Sequence, residues 1–474
     1  MLKESEITNF INQDILDSKK RYARIAEKYY NSEHDIKNYR LYYYDANGEL
    51  QEDKTRSNIK ISHPFFTELV DQEAQYILST KKQFIKSDIS ELQHELDKYF
   101  NYNDDFISEL YETITDTIVK GFGFLYAYKD KNDRIAFQSA DSLGVVEVRA
   151  KDTDDGCEYV IYWYVDRIEK SHKKIKRIQV WDKNQTFFYV QEDDGNLILD
   201  DSQPLNPRPH VTYTKDDDNI YYENFGFIPF FRLDNNGNKQ SGLKSVKELI
   251  DDYDLMSCGL SNNIQDGSEM YWVVKGFKGD NLDEMITNIK SKKHVGVESD
   301  GDVSIKTVEI PYQARKVKLE EDEKNIYRFG MGFNSTQLGD GNVTNVVIKS
   351  RYALLDLKCN KLEIRLKSFL RRIIDIILKE INDRNSTDYQ SENVFFEFER
   401  NIITNSSDNA QIELVKAQTE QVEINTLLGL ASVLGNDILV QRICDALDLD
   451  YEEIKDKLPK EETIENLLGE GENV

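Results

Sequence analysis

The sequence is poor in the residues that usually advertise a chemistry. Its 474 residues include four cysteines, six histidines, seven prolines and three tryptophans. Cys157, Cys258, Cys359 and Cys444 stand far apart and form no C-x-x-C pair, so neither a disulfide framework nor a zinc site is expected. His63, His94 and His294 show no metal-like spacing among themselves. No run of about 18 apolar residues occurs, which excludes a bilayer-spanning helix. The opening MLKESEITNFINQD lacks the basic start and apolar centre of a signal peptide. The expectation is a chain made in a reducing cytoplasm, away from any membrane. Positive charge is also short: 61 Lys and Arg against 87 Asp and Glu give a net charge of −26. That argues against nonspecific adhesion to nucleic acid or to an anionic membrane surface. It does not exclude a conduit for DNA, because repulsion keeps a polyanion from sticking.

The catalytic signatures are missing as well. There is no G-x-x-x-x-G-K-[ST], no H-E-x-x-H and no G-x-S-x-G. GFGFLY from Gly121 and GMGFNS from Gly330 lack the third glycine of a dinucleotide loop, and neither sits between a strand and a helix of a βαβ unit. DTDDG from Asp152 lacks the ligand alternation and distal glutamate of a calcium loop and reads as an acidic turn. With 87 carboxylates some pair by chance, so counts alone cannot argue for a metal-dependent hydrolase or nuclease. No cofactor and no catalytic residue is expected.

What is present is periodicity. Residues 1 to about 120 read mostly helical, with Ile7, Phe10, Ile11 and Ile15 at helical spacing and a helix behind Pro64 that recurs apolar at Phe66, Leu69, Val70, Ala74 and Ile77. The tyrosines 29, 30, 39, 42, 43 and 44 look like a surface strand or loop. Two further helices follow, SELQHELDKYFN and NDDFISELYETITDTIVKG, the second capped by Asn103 or Asp104 and stopped by Gly121. From Gly121 to about Asp200 the pattern turns β-branched and aromatic, giving one antiparallel sheet of several strands. The region 201–240 holds four of the seven prolines and reads as irregular connection, closing on the short apolar strand of FGFIPFFRLD.

A long amphipathic helix then starts near Ser241, with Leu243, Val246, Ile250, Tyr253, Met256, Leu260 and Ile264 on one stripe. At about 1.5 Å per residue it is roughly 40 Å long. A small α/β insert spans 270–310, and Pro311 begins a return helix. NSTQLGDGNVTN follows, then the longest helix, from Val346 to about Asn385, with a stripe of Ile348, Tyr352, Leu355, Cys359, Leu362, Leu366, Phe369, Ile373 and Ile377. Leu354, Leu357, Ile364, Ile374 and Leu378 widen that stripe, so more than one partner must cover it. The strand NVFFEFER, further helices over 409–458 and an acidic flexible tail, 459–474, complete the chain.

Two features stand out chemically. Lys290, Lys292, Lys293 and His294 cluster in an otherwise acidic chain, either as a solvated helix end or as a docking patch for an acidic partner or nucleic acid; the same alternatives hold for Lys349 and Arg351. NSTQLGDGNVTN is polar, little charged and longer than the 2–8 residues usual between helices. It is either a plain connection or a moving part.

SGLKSVKELIDDYDLMSCGLSNNIQD resembles the first stem helix of portal proteins of long-tailed double-stranded DNA bacteriophages. The likeness lies in a serine start, the pattern K-x-L-I-D-x-Y-D, small residues and N-x-x-x-D. FGMGFNSTQLGDGNVTNVVIKSRYALLDLKCNKLE resembles that family's tunnel loop and following helix. The resemblance covers residues 20–450. It implies an α+β portal fold: a wing (1–240), stem helix 1 (241–269), a small α/β clip (270–310), stem helix 2 (311–333), a tunnel loop (334–345), a long tunnel and wing helix with a strand (346–408) and crown helices (409–458). It also implies a non-enzymatic ring, generally of twelve copies, at one capsid vertex of the virion, assembled in the host cytoplasm. DNA would be pumped through it by a terminase docked on the clip. Head–tail adaptor, scaffold and major capsid protein are the other implied partners. The candidate DNA-facing positions are Asn334, Ser335, Thr336, Gln337, Asp340, Asn342 and Thr344, and Lys290, Lys292 and Lys293 would form the clip's docking patch. The contrasting readings are an acidic soluble metal-dependent hydrolase or nuclease with a helical appendage, and another ring-forming virion protein such as an adaptor.

Overall fold

Helical periodicity in the first 120 residues produces five α-helices among the described residues of the computed structural model. They are α1 (Glu4–Leu16), α2 (Ser18–Tyr30), α3 (Phe65–Ile77), α4 (Ser90–Leu96) and α5 (Asp104–Lys120), with the small hairpin β1 (Tyr42–Tyr44) and β2 (Leu50–Glu52) and strand β3 (Ile85–Lys86) between them. The structure describes residues 2–45, 47–54, 56–79, 83–130, 133–149, 156–168, 173–193, 195–214, 220–267, 271–277, 281, 285, 296–306, 311–334, 345–400, 406–430, 440–442 and 444. Sequence chemistry sets the ends of α5. Asn103 accepts a hydrogen bond from the Phe106 amide at 3.2 Å, and Gly121 ends the helix at φ +95°, where a Cβ would lie 2.6 Å from the Lys239 carbonyl.

The next stretch alternates with period two: β4 (Phe122–Lys129), β5 (Ile135–Ala140), β6 (Val145–Arg149), β7 (Cys157–Ile168), β8 (Lys174–Trp181), β9 (Gln185–Glu192), β10 (Leu197–Leu199), β11 (Arg208–Pro209), β12 (Val211–Thr214), β13 (Ile220–Glu223) and β14 (Phe230–Asp234). These strands do not make the single sheet expected. They form a six-stranded antiparallel sheet, β10-β9-β8-β7-β6 with β11 beside β9, and a separate sheet β14-β4-β5. The reason is two-sided burial. Neighbours such as Val145 and Val146, Val160 and Ile161, or Val180 and Trp181 point to opposite faces, and each face has its own core. Val146, Ile161 and Val180 pack with Ile7 of α1. Val145, Val160 and Trp181 pack with Phe122 and Phe124 of the second sheet. The region 201–240 is also more regular than its prolines suggested, since β12 and β13 form a hairpin and β14 joins β4.

The tyrosine run divides. Tyr42–Tyr44 are exposed as expected, whereas Tyr29 and Tyr30 belong to α2, and Tyr29 is fully buried. The remaining elements are α6 (Lys247–Gly267), β15 (Tyr271–Phe277), β16 (Val297–Lys306), α7 (Tyr312–Gly330), α8 (Asn345–Asn385), β17 (Phe395–Phe396) and α9 (Ser406–Gly429). The helix expected from Ser241 starts later. Ser241 caps a short 3-10 turn, Gly242–Ser245, and the α-helix proper has 21 residues, about 30 Å rather than 40. Within the insert, Val297–Lys306 forms one strand, β16, paired antiparallel with β15. On α8 the buried stripe runs as expected through Tyr352, Leu355, Cys359, Leu362, Leu366, Phe369, Ile373 and Ile377, while Leu354, Leu357 and Ile364 stay exposed. The architecture is α+β. The chain divides into two compact units, Met1–Gln337 with Tyr352–Asn401, and Leu338–Arg351 with Ile402–Val474. Among the described residues no helix is long and apolar enough to cross a membrane.

Candidate functional site

The helix pair α6 and α7 is held from two sides. Between the helices, Lys318 bridges Asp252 at 2.6 Å and also bonds the buried Asp322. On the outer side of α6 a stretch without regular structure, residues 57–63, docks through alternate backbone amides. Ser57 N–H donates to Asp266 Oδ1 (3.1 Å), Ile59 N–H to Asn262 Oδ1 (2.7 Å), Ile61 N–H to Cys258 Sγ (3.2 Å) and His63 N–H to Asp254 Oδ1 (3.0 Å). The register has a simple cause. Two residues of extended chain advance about 6.6 Å, and four residues of helix advance about 6 Å. Every second amide therefore meets every fourth side chain. This is what the N-x-x-x-D of the sequence does, and Cys258 supplies the acceptor between Asp254 and Asn262.

Asp254 is the centre of the anchor. Its carboxylate is fully buried between His34 Nδ1 at 2.6 Å and His63 Nδ1 at 2.7 Å, and His34 is itself fully buried. Burial alone would push the carboxyl up. Hydrogen bonds from both histidines and from the His63 amide outweigh it and hold Asp254 below the ordinary carboxylate range. His34 Nε2 lies 3.2 Å from the Tyr29 carbonyl, and its ring stacks on Tyr29. The rest of the K-x-L-I-D-x-Y-D pattern has equally local work. Lys247 reaches Asp35 at 2.6 Å and Asp251 at 2.7 Å, Asp251 accepts from the Tyr29 hydroxyl, and Tyr253 packs edge-on against His63 and Phe65. Sequence reading missed this cluster. His34 and Asp254 are 220 residues apart, and nothing short-range links them.

The C-terminal end of α7 is pinned to α3. Met331 takes a left-handed conformation, φ +55°. Gly332 lies so close to Leu69 that a Cβ would stand 2.2 Å from Leu69 Cδ2. Gln72 then clamps Phe333 both ways, its amide donating to the Phe333 carbonyl at 2.8 Å and accepting from the Phe333 N–H at 2.9 Å. Phe333 stacks on Tyr352 with ring centroids 4.4 Å apart. The glycines of GMGFNS thus serve close packing. Of the candidate DNA-facing positions, Asn334 is half-buried and donates to Glu323 Oε1 at 3.2 Å. Ser335, Thr336, Gln337, Asp340, Asn342 and Thr344 lie outside the described residues, as do Lys290, Lys292 and Lys293.

The anchor has no spare ligand geometry. His34 and His63 direct Nδ1 at Asp254, and among the described residues no three His, Cys, Asp or Glu side chains are placed to hold a metal ion. The cysteines stand alone: Cys359 is fully buried, and burial, then Glu73, push its thiol up to about 12.

Comparison with known proteins agrees with the motif resemblance. The portal protein of Bacillus phage SPP1 is 27% identical over 394 residues, covering 81% of this chain and 75% of that protein. The portal protein of Clostridium phage phiCD119 is 24% identical over 400 residues, covering 78% of this chain and 83% of that protein. The family model for SPP1 Gp6-like phage portal proteins matches residues 10–462. The chain therefore belongs to the SPP1 Gp6-like family of phage portal proteins.

Proposed function

We propose that copies of this chain, twelve in the usual ring, close around a hollow axis at one capsid vertex, and that double-stranded DNA is packaged and ejected along that axis. In this reading α6 and α7 are the stem, residues 270–310 the clip, 334–345 the tunnel loop, 1–240 the wing and 409–458 the crown. The observation that carries it is apolar surface left bare on the paired helices. Leu255 and Ile264 of α6 and Val317 and Phe329 of α7 are exposed in the single chain, and neighbouring copies packed head to tail would cover them. The chain itself does no chemistry here. Polar, little-charged loops in an acidic passage would let a polyanion slide without being trapped. Lys290, Lys292 and Lys293 on the clip would face the terminase and later the head–tail adaptor, and scaffold and major capsid protein would surround the ring. Negative-stain microscopy or native mass spectrometry of the purified chain is the test. An annular particle is expected. A chain that stays solitary at high concentration with its viral companions supplied would overturn the reading.

A further inference from the structure

The middle of α8 presents a face that its own chain leaves open. Leu354, Leu357 and Ile364 are 42%, 49% and 72% exposed. Lys358, Lys361, Arg365 and Arg372 fall between and after them at steps of three, four and seven residues, so all share one side of the helix. With Arg232 they line a cleft of about 720 Å³ against residues 233–236. Five cations together run against the trend of a chain with 87 acidic and 61 basic residues. Some are engaged. Lys358 pairs with Glu73 at 2.8 Å, Arg232 pairs with Glu147 and Asp234, and Arg372 donates to the Arg232 carbonyl at 2.6 Å. Lys361 and Arg365 make no ion pair among the described residues. A phosphate backbone would satisfy the cations but leave three aliphatic side chains in water. A protein surface with carboxylates around an apolar centre would satisfy both.

The chain carries such a surface at the corner between α4 and α5. Asp104 and Asp105 are exposed there, next to Tyr102, which is 74% exposed, and the one exposed cation of the segment, Lys98, is paired with Glu95 at 2.7 Å. We propose that the basic, aliphatic face of α8 receives the acidic α4–α5 corner of a second copy of this chain. The inference rests on the ring reading and specifies one of its contacts. Two different patches of one chain meeting head to tail make a heterologous interface, the kind that closes into a ring.

Charge reversal tests it. The Lys361→Glu, Arg365→Glu protein and the Asp104→Lys, Asp105→Lys protein should each form at least tenfold fewer rings by negative stain, with circular dichroism like that of the wild type. The fourfold variant should regain rings. Wild-type ring yield from the α8 variant would overturn the inference, as would intact rings that have lost only their affinity for a DNA duplex. Should a variant fail to fold, Tyr102→Cys with Ile364→Cys replaces it. A bismaleimide should then give a ladder of covalent multimers, and absence of the ladder overturns the inference. A wild-type protein that makes no ring sinks the portal reading itself. Rings in the wild type and in the α8 variant alike sink only this contact.

Discussion

Asp254 shows how one side chain can hold three segments together. It binds His34 after α2 and both the ring and the amide of His63 before α3, and it sits on α6. Asp254→Ala leaves the buried His34 nitrogen and the His63 amide unsatisfied and takes the partner from the partly exposed His63 ring, which should cost about 3 kcal/mol in chemical denaturation. The pH dependence follows from the same contacts. Because Asp254 titrates below its ordinary value of about 3.9, its contribution is complete above that value. It is lost as pH falls through the lower folded value. Asp254→Asn should therefore flatten the acid limb of the stability curve below about pH 4. Gly121 is a second sensitive position. At φ +95° with the Lys239 carbonyl beside it, Gly121→Ala should cost about 2 kcal/mol or more in the same measurement.

Among elements, the docking of residues 57–63 on α6 has a local readout. Asn262→Ala removes the acceptor of the Ile59 amide. Hydrogen exchange at Ile59 should speed up about tenfold, with the flanking amides of Ile61 and His63 changing less. Elements whose residues repeat within a few positions were legible in the sequence. The α6 and α8 periodicities, Pro311 at the start of α7, Asn103 and Gly121 at the ends of α5, and the strands of 122–199 are all of this kind. What could not be read depends on distant partners. The exposed look of Tyr29 was misleading because its cover is α6 and His34, and the split into two sheets depends on which strand faces which core. The prolines of 201–240 hid a hairpin because they stand outside β12 and β13. The motif residues of α6 were visible as a pattern. Their work was not, because the amides they receive lie 191 to 209 residues away.

At the scale of the whole molecule, the bare aliphatic side chains of α6, α7 and α8 would be covered by copies of the chain in the proposed ring. The clamp of Phe333 by Gln72 and its stacking on Tyr352 bring together the residues that flank the polar loop, independently of the loop itself. Deleting Gln337 to Asn342 should therefore leave ring formation intact and impair DNA packaging, measured as DNA protected from nuclease in filled heads. Full packaging by the deletion protein would count against any role of the loop in DNA passage.

The four amides laid along α6 give that attachment a mechanical direction. Tension applied parallel to the helix loads all four bonds at once, like a lap joint in shear, whereas tension applied sideways at either end opens them singly, like peeling tape. A rod fastened this way resists axial thrust far better than it resists being lifted off its mount, as the stem role proposed for α6, beside DNA driven lengthwise, would require.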